Sequence, residues 1–100
     1  MSEALPHPPP PEQRVLLGKV VKARGLRGDL KFVSLSWDPQ RVANLESVWL
    51  LTRDNEVLLV HPKRLVNEGA NTFIRFQEVQ DRTSAEAVVG SEIFIAEKDR

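Results

Sequence analysis

The 100-residue sequence contains no cysteine and no tyrosine. Without cysteine there is no disulfide scaffold, no thiol nucleophile and no cysteine zinc site. Only two histidines are present, His7 and His61. A pair so placed lacks metal-ligand spacing, and a Ser-His-Asp arrangement would have to rest on His61, beside Pro62. No serine sits in a Gly-x-Ser-x-Gly elbow. The expectation is therefore a non-enzymatic protein with no cofactor and no metal. No apolar run approaches the roughly 20 residues that span a bilayer, so no membrane association is expected. No secretory leader is evident, which makes the cytoplasm the expected location. Net charge is also lacking, with 14 basic and 14 acidic side chains, so the surface is not uniformly positive.

What is present is unevenly spread. Residues 14 to 31 hold Arg14, Lys19, Lys22, Arg24, Arg27 and Lys31 against Asp29 alone. The remainder of the chain is net acidic. A local concentration of this kind attracts phosphate. A solvated face of ordinary strands is the alternative explanation.

Residues 1–13 read as a disordered Pro-rich tail. Five prolines between Pro6 and Pro11 remove backbone donors and argue against a helix or a central strand. A short polyproline II stretch is expected there. Beyond it, Val15–Lys22 and Asp29–Leu35 read as two strands of a hairpin around the Gly25–Gly28 connection. Ser47–Thr52 is a third strand and Asp54-Asn55 a turn. Glu56–Leu65 is a fourth, with Pro62 marking an edge or a bulge. Thr72–Val79 follows, with Ile74 and Phe76 on one face and Arg75 and Gln77 on the other. Glu92–Ala96 is the last, with Ile93 and Ile95 opposite Phe94. Two short helices are expected. Asp38 caps a turn opened by Pro39, with Val42 and Leu45 facing the core. Thr83 to Glu86 fits a capping box and Gly90 the position past the helix end. The class is all-β, a small six-stranded β-barrel with one or two short helices, because closure removes exposed edges in so small a chain. Such a barrel gives no reason to expect anything but a monomer.

Gly25-Leu26-Arg27-Gly28 is the segment to weigh for function. It lacks the Walker spacing. It matches the Gly-x-x-Gly of KH domains in letters only, since that loop joins helices and this one joins strands. Its glycines serve a tight connection that needs positive φ. That leaves Lys22, Arg24 and Arg27 crowding one turn, where they repel one another. Among the aromatics, Phe32, Trp49 and Phe76 fit core strand positions. Trp37 packs at the core or its rim, or stacks on a base or a partner.

The run from Gly18 to Phe32, Gly-Lys-Val-Val-Lys-Ala-Arg-Gly-Leu-Arg-Gly-Asp-Leu-Lys-Phe, resembles the opening motif of the RimM family of ribosome maturation factors. Asp81-Arg82-Thr83-Ser84-Ala85-Glu86 with Gly90 and Ile93 is similar to the family's second motif, and Ser36–Pro39 sits where the family has a Thr-Asp-x-Pro turn. The likeness covers roughly residues 15–97. Arg24 departs from it, standing where the family has His or an aromatic residue. The resemblance implies a barrel like the second domain of translation elongation factors, as the RimM amino-terminal domain over 14–97. Residues 98–100 would begin the linker to a PRC-barrel domain. It also implies a ribosome assembly factor that binds the free small subunit and assists maturation of its head and rRNA processing. The implied partners are head-domain rRNA and the nineteenth small-subunit ribosomal protein, the latter through the second domain.

Two functions follow. In the first, Lys19, Lys22, Arg24, Arg27 and Lys31 contact rRNA phosphates, Arg82 extends the surface or pairs with a nearby carboxylate, and Gly25, Leu26 and Gly28 shape the loop. In the second, the barrel is a protein-interaction module for a ribosomal protein, without direct RNA contact.

Overall fold

The computed structural model describes residues 7–35 and 39–99. The expected Asp38 cap and Trp37 lie outside the described residues. The organising element is β1 (Arg14–Arg24), whose length lets it pair on both sides. Its β-branched and leucine side chains alternate inward and outward, and two register shifts re-aim them, between Leu16 and Gly18 and between Val20 and Lys22. At each shift an extra residue bends and twists the strand, and so helps the sheet to curl.

Around β1 stand β2 (Asp29–Ser34), β3 (Val48–Leu51), β4 (Val57–Val60), β5 (Pro62–Glu68), β6 (Asn71–Phe76) and β7 (Glu92–Ala96). They form one antiparallel sheet in the order β4-β3-β7-β1-β2-β6-β5. The sheet curls into a half-barrel over Val20, Leu30, Leu50, Ile74, Phe76 and Ile93, none more than 1% exposed. Fully burying a side chain of this size contributes about 1.5–3 kcal/mol. The short helices α1 (Gln40–Ala43) and α2 (Arg82–Ala87) pack on this sheet, α1 against β5 and α2 against β1 and β2. Val42, Ala85 and Val88 enter the core, with Leu45 packed against it.

The class and the two helices are as expected, but the strand count is seven. The expected fourth strand, Glu56–Leu65, is two strands at opposite edges of the sheet, β4 and β5. Pro62 has no N–H to donate and opens β5, an edge strand where that donor is not needed. The chain turns at His61, whose N–H donates to Glu78 Oε1 at 2.8 Å and whose carbonyl accepts from Gln77 N at 2.9 Å. β4 and β5 do not pair with each other, so the hydrogen-bonded sheet stays open rather than closing.

Three local expectations are corrected. The α2 capping box uses Asp81 and Ser84, not Thr83 and Glu86: Ser84 N–H donates to Asp81 Oδ1 at 2.8 Å. With Asp81 as the cap, the helix begins two residues earlier than expected, at Arg82. Trp49 is half-buried and pairs across strands with Phe94, on the face opposite the main core. Among the described residues of the Pro-rich segment, Pro11–Gln13 form a 3-10 turn, because proline's fixed φ and missing donor suit a first helical position. Pro9 is buried there, and its carbonyl accepts from Arg14 Nε at 2.8 Å. The Arg14 guanidinium then lies 4.5 Å from the Phe94 ring centre.

Candidate nucleic-acid interface

The β1–β2 turn depends on its two glycines. Gly25 and Gly28 have φ of 69° and 88°. At Gly28 there is also no room, since a Cβ would sit 2.4 Å from the Val79 carbonyl oxygen. The turn therefore packs its second glycine on the main chain after β6 and leaves Leu26, 77% exposed, and Arg27 at its apex.

The hairpin register then decides where the charges go. Lys22 lies directly opposite Lys31, and Arg24 opposite Asp29. Opposed lysines on one face destabilise a ladder slightly. Because the register shifts at Val21, both Val21 and Lys22 reach the surface. Lys19, Lys22 and Arg27 are exposed and Lys31 is half-buried. Among the described residues these four side chains make no ion pair or hydrogen bond.

Arg24 is differently placed. Its side chain crosses β2, lies 3.6 Å from the centre of the Phe73 ring on β6, and ends on Glu68 of β5. Both guanidinium nitrogens donate to that carboxylate, at 2.7 and 3.0 Å. Asp29 lies 3.9 Å away and accepts from Arg75 Nε at 2.9 Å. The hydrogen bond to Glu68 raises the Arg24 pKa above its usual value and lowers that of Glu68. Arg24 is thus a strut across four strands, with its two terminal nitrogens held by Glu68 at the surface. Arg82 is also partnered. Its Nη1 donates to the Gly25 carbonyl at 3.3 Å and its Nε lies 3.6 Å from Glu86.

One basic residue escaped the sequence reading. Arg53, in the turn between β3 and β4, is exposed and lies across Gly90, where a Cβ would come 2.6 Å from its Cδ. It joins Lys22 and Arg82 around a groove of about 350 Å³ whose other walls include Val21, Val89 and Glu86. No spacing rule links Arg53 to Lys22, because only the packing of β3, β7 and β1 brings them together.

Residues 15–100 match the family described as RimM N-terminal domain. The chain belongs to the RimM family. It is 34% identical over 92 residues to the ribosome maturation factor RimM of Synechococcus, covering 88% of this chain and 51% of that protein. The Thermotoga neapolitana RimM is 35% identical over 86 residues, covering 83% and 48%. The chain thus spans about half the length of the curated RimM relatives it matches. Among solved structures, the RimM of Pseudomonas aeruginosa, described as a 16S ribosomal RNA processing protein, superposes with a TM-score of 0.76 at 25% identity. That match covers 87% of this chain and 52% of the other. The N-terminal domain of Thermus thermophilus RimM gives 0.68 at 26% identity, covering 87% and 93%. The half-barrel described above is thus the RimM N-terminal fold. Among the described residues no helix is long and apolar enough to cross a membrane.

Proposed function

We propose that this chain is a non-catalytic ribosome maturation domain that binds the free small ribosomal subunit through rRNA phosphates of its head. The observation that carries this is the run of cations on one hairpin: among the described residues Lys19, Lys22, Arg27 and Lys31 make no ion pair, while Arg24 and Arg75 are held by Glu68 and Asp29. Keeping Lys22 opposite Lys31 costs the fold a little, and a phosphate between them would offset that cost. The names of the relatives, ribosome maturation factor and 16S ribosomal RNA processing protein, support the same reading. A domain of this kind acts by binding one assembly state better than the others. Contact with the nineteenth small-subunit protein belongs, in this reading, to a second domain.

The test is cosedimentation of the chain with purified small subunits at low and moderate salt, with naked rRNA and mature ribosomes as controls. Phosphate contacts predict a steep linear fall of log affinity with log salt. Unchanged affinity after Lys22→Glu and Arg27→Glu, with the fold intact, would overturn the proposal. A second reading, docking on a ribosomal protein, is favoured by one observation, the 77% exposure of Leu26 at the turn apex. It predicts a shallow salt dependence and a large loss on Leu26→Ser.

A further inference from the structure

The groove between β1, α2 and the β3–β4 turn adjoins the basic hairpin and shares Lys22 with it. β7 pairs with β1 only as far as Lys19, so β1 runs on past its neighbour from Val21 to Arg24. Beside that free stretch the fold has placed α2 and the β3–β4 turn, and the space left among them is the groove. Three cations from three separate elements line it: Lys22 of β1, Arg53 of the turn and Arg82 of α2. Opposing them is Glu86 alone, which lies 3.6 Å from Arg82 on the same helix in an exposed pair that solvent screens. Lys22 and Arg53 make no ion pair or side-chain hydrogen bond among the described residues. Val21, Ala23 and Val89 supply an apolar wall. The position of Arg53 is itself built. Gly90 has no Cβ, and the Arg53 side chain lies across the space a Cβ would fill.

We infer that this groove holds one nucleotide of a single-stranded RNA segment, with Lys22, Arg53 and Arg82 on its phosphate and Val21 and Val89 against the base or sugar. At about 350 Å³ it lies near the lower end of ligand-site volumes, roughly 300–1,000 Å³, which suits one nucleotide rather than a duplex. Sequence-specific RNA recognition falls mostly on unpaired nucleotides, whose bases can leave the stack and meet a protein wall. An acidic peptide would also satisfy the cations, and the test therefore includes one. The inference rests on the reading of the chain as an rRNA-binding domain and adds which RNA element it takes and by which residues.

The test uses the full chain and a fluorescent twelve-nucleotide single-stranded RNA of mixed sequence, with the same RNA as a duplex for comparison. Arg53 lies on the exposed β3–β4 turn and makes no ion pair or side-chain hydrogen bond among the described residues, so Arg53→Gln keeps the fold, which a thermal melt checks. The expected result is tighter binding of the single strand than of the duplex. Arg53→Gln should weaken the single strand about tenfold, lower its salt slope by about one and leave the duplex little changed. Arg53→Lys should retain the salt slope. Val89→Asp should abolish the preference for the single strand. If Arg53→Gln leaves single-strand affinity within twofold while Arg27→Glu with Lys31→Glu still abolishes subunit binding, the groove assignment falls and the hairpin proposal stands. If the charge reversals do nothing either, both fall. Binding of an acidic peptide, lost on Arg53→Gln while RNA is unaffected, would overturn the assignment in favour of a protein ligand.

Discussion

Arg24 and Arg27 stand three residues apart in the sequence and in opposite circumstances in the fold. Arg24 points back over the sheet, where Phe73 and Glu68 hold it. Arg27 sits at the apex of the turn and makes no ion pair among the described residues. The same contrast runs through the molecule. Arg75 is held by Asp29, whereas Lys19, Lys22, Lys31 and Arg53 make no ion pair among the described residues. A count of basic residues therefore overstates the charge a ligand can meet. What counts is the charge left after the sheet has satisfied its own carboxylates.

The contrast breaks most completely if the turn that separates the two arginines is deformed. Gly28→Ala puts a methyl group against the Val79 carbonyl at a φ of 88° that alanine resists. It should cost about 2–4 kcal/mol, read by urea or thermal unfolding. Gly25→Ala, with the same kind of φ but open space around it, should cost less.

Reversing the free charges attacks the other side of the comparison. Lys22→Glu, Arg27→Glu and Lys31→Glu together should lower affinity for small subunits by at least about a hundredfold and reduce the salt slope by about three. The melting temperature should change little, because the opposed Lys22–Lys31 pair is exchanged for an opposed pair of glutamates with similar repulsion. Arg24→Gln should do the reverse. It lowers the melting temperature by a few degrees as the strut across four strands is lost, and leaves the salt slope of binding unchanged. A large change in salt slope for Arg24→Gln would erase the distinction.

The smallest effect is the pH dependence of the paired carboxylates. The hydrogen bond from Arg24 lowers the Glu68 pKa below the usual 4.5. The backbone N–H and hydroxyl of Ser84 lower that of Asp81 below 3.8. At Glu78 burial works to raise the pKa, but the backbone N–H and ring of His61 and its own N–H together hold it below 4.5. Groups depressed in the folded state bind fewer protons there than in the unfolded chain. Their contribution is present above the unfolded values and disappears as pH falls through the lower folded ones. Melting curves should be nearly flat down to about pH 5 and then fall. Glu78→Gln should flatten part of that fall, whereas Arg27→Gln should not change it.

The hairpin, the last strand, the alternation of Ile74 and Phe76 and the inward Val42 are all legible in the sequence, because each rests on local periodicity or turn chemistry. The division at His61 was not. A continuous apolar run with one proline reads as one bent strand, and only the Glu78 carboxylate, supplied from after β6, shows that the chain turns there. Trp49 was misplaced for a related reason. Strand parity assigns a face, but it cannot reveal that the Pro9 and Arg14 region covers the outer one.

The candidate interface divides in the same way. Its basic concentration between Arg14 and Lys31, and the glycines that turn it, lie within one short stretch of chain, so composition and spacing suffice to find them. Which of those charges remain available is a matter of partners far along the chain, as Glu68 is for Arg24. Arg53 enters the groove only because β3 and β7 bring its turn beside β1. Local order follows from forces between near neighbours, which the sequence displays directly. The pairing of charges follows from distances of a few ångströms that only the folded sheet creates.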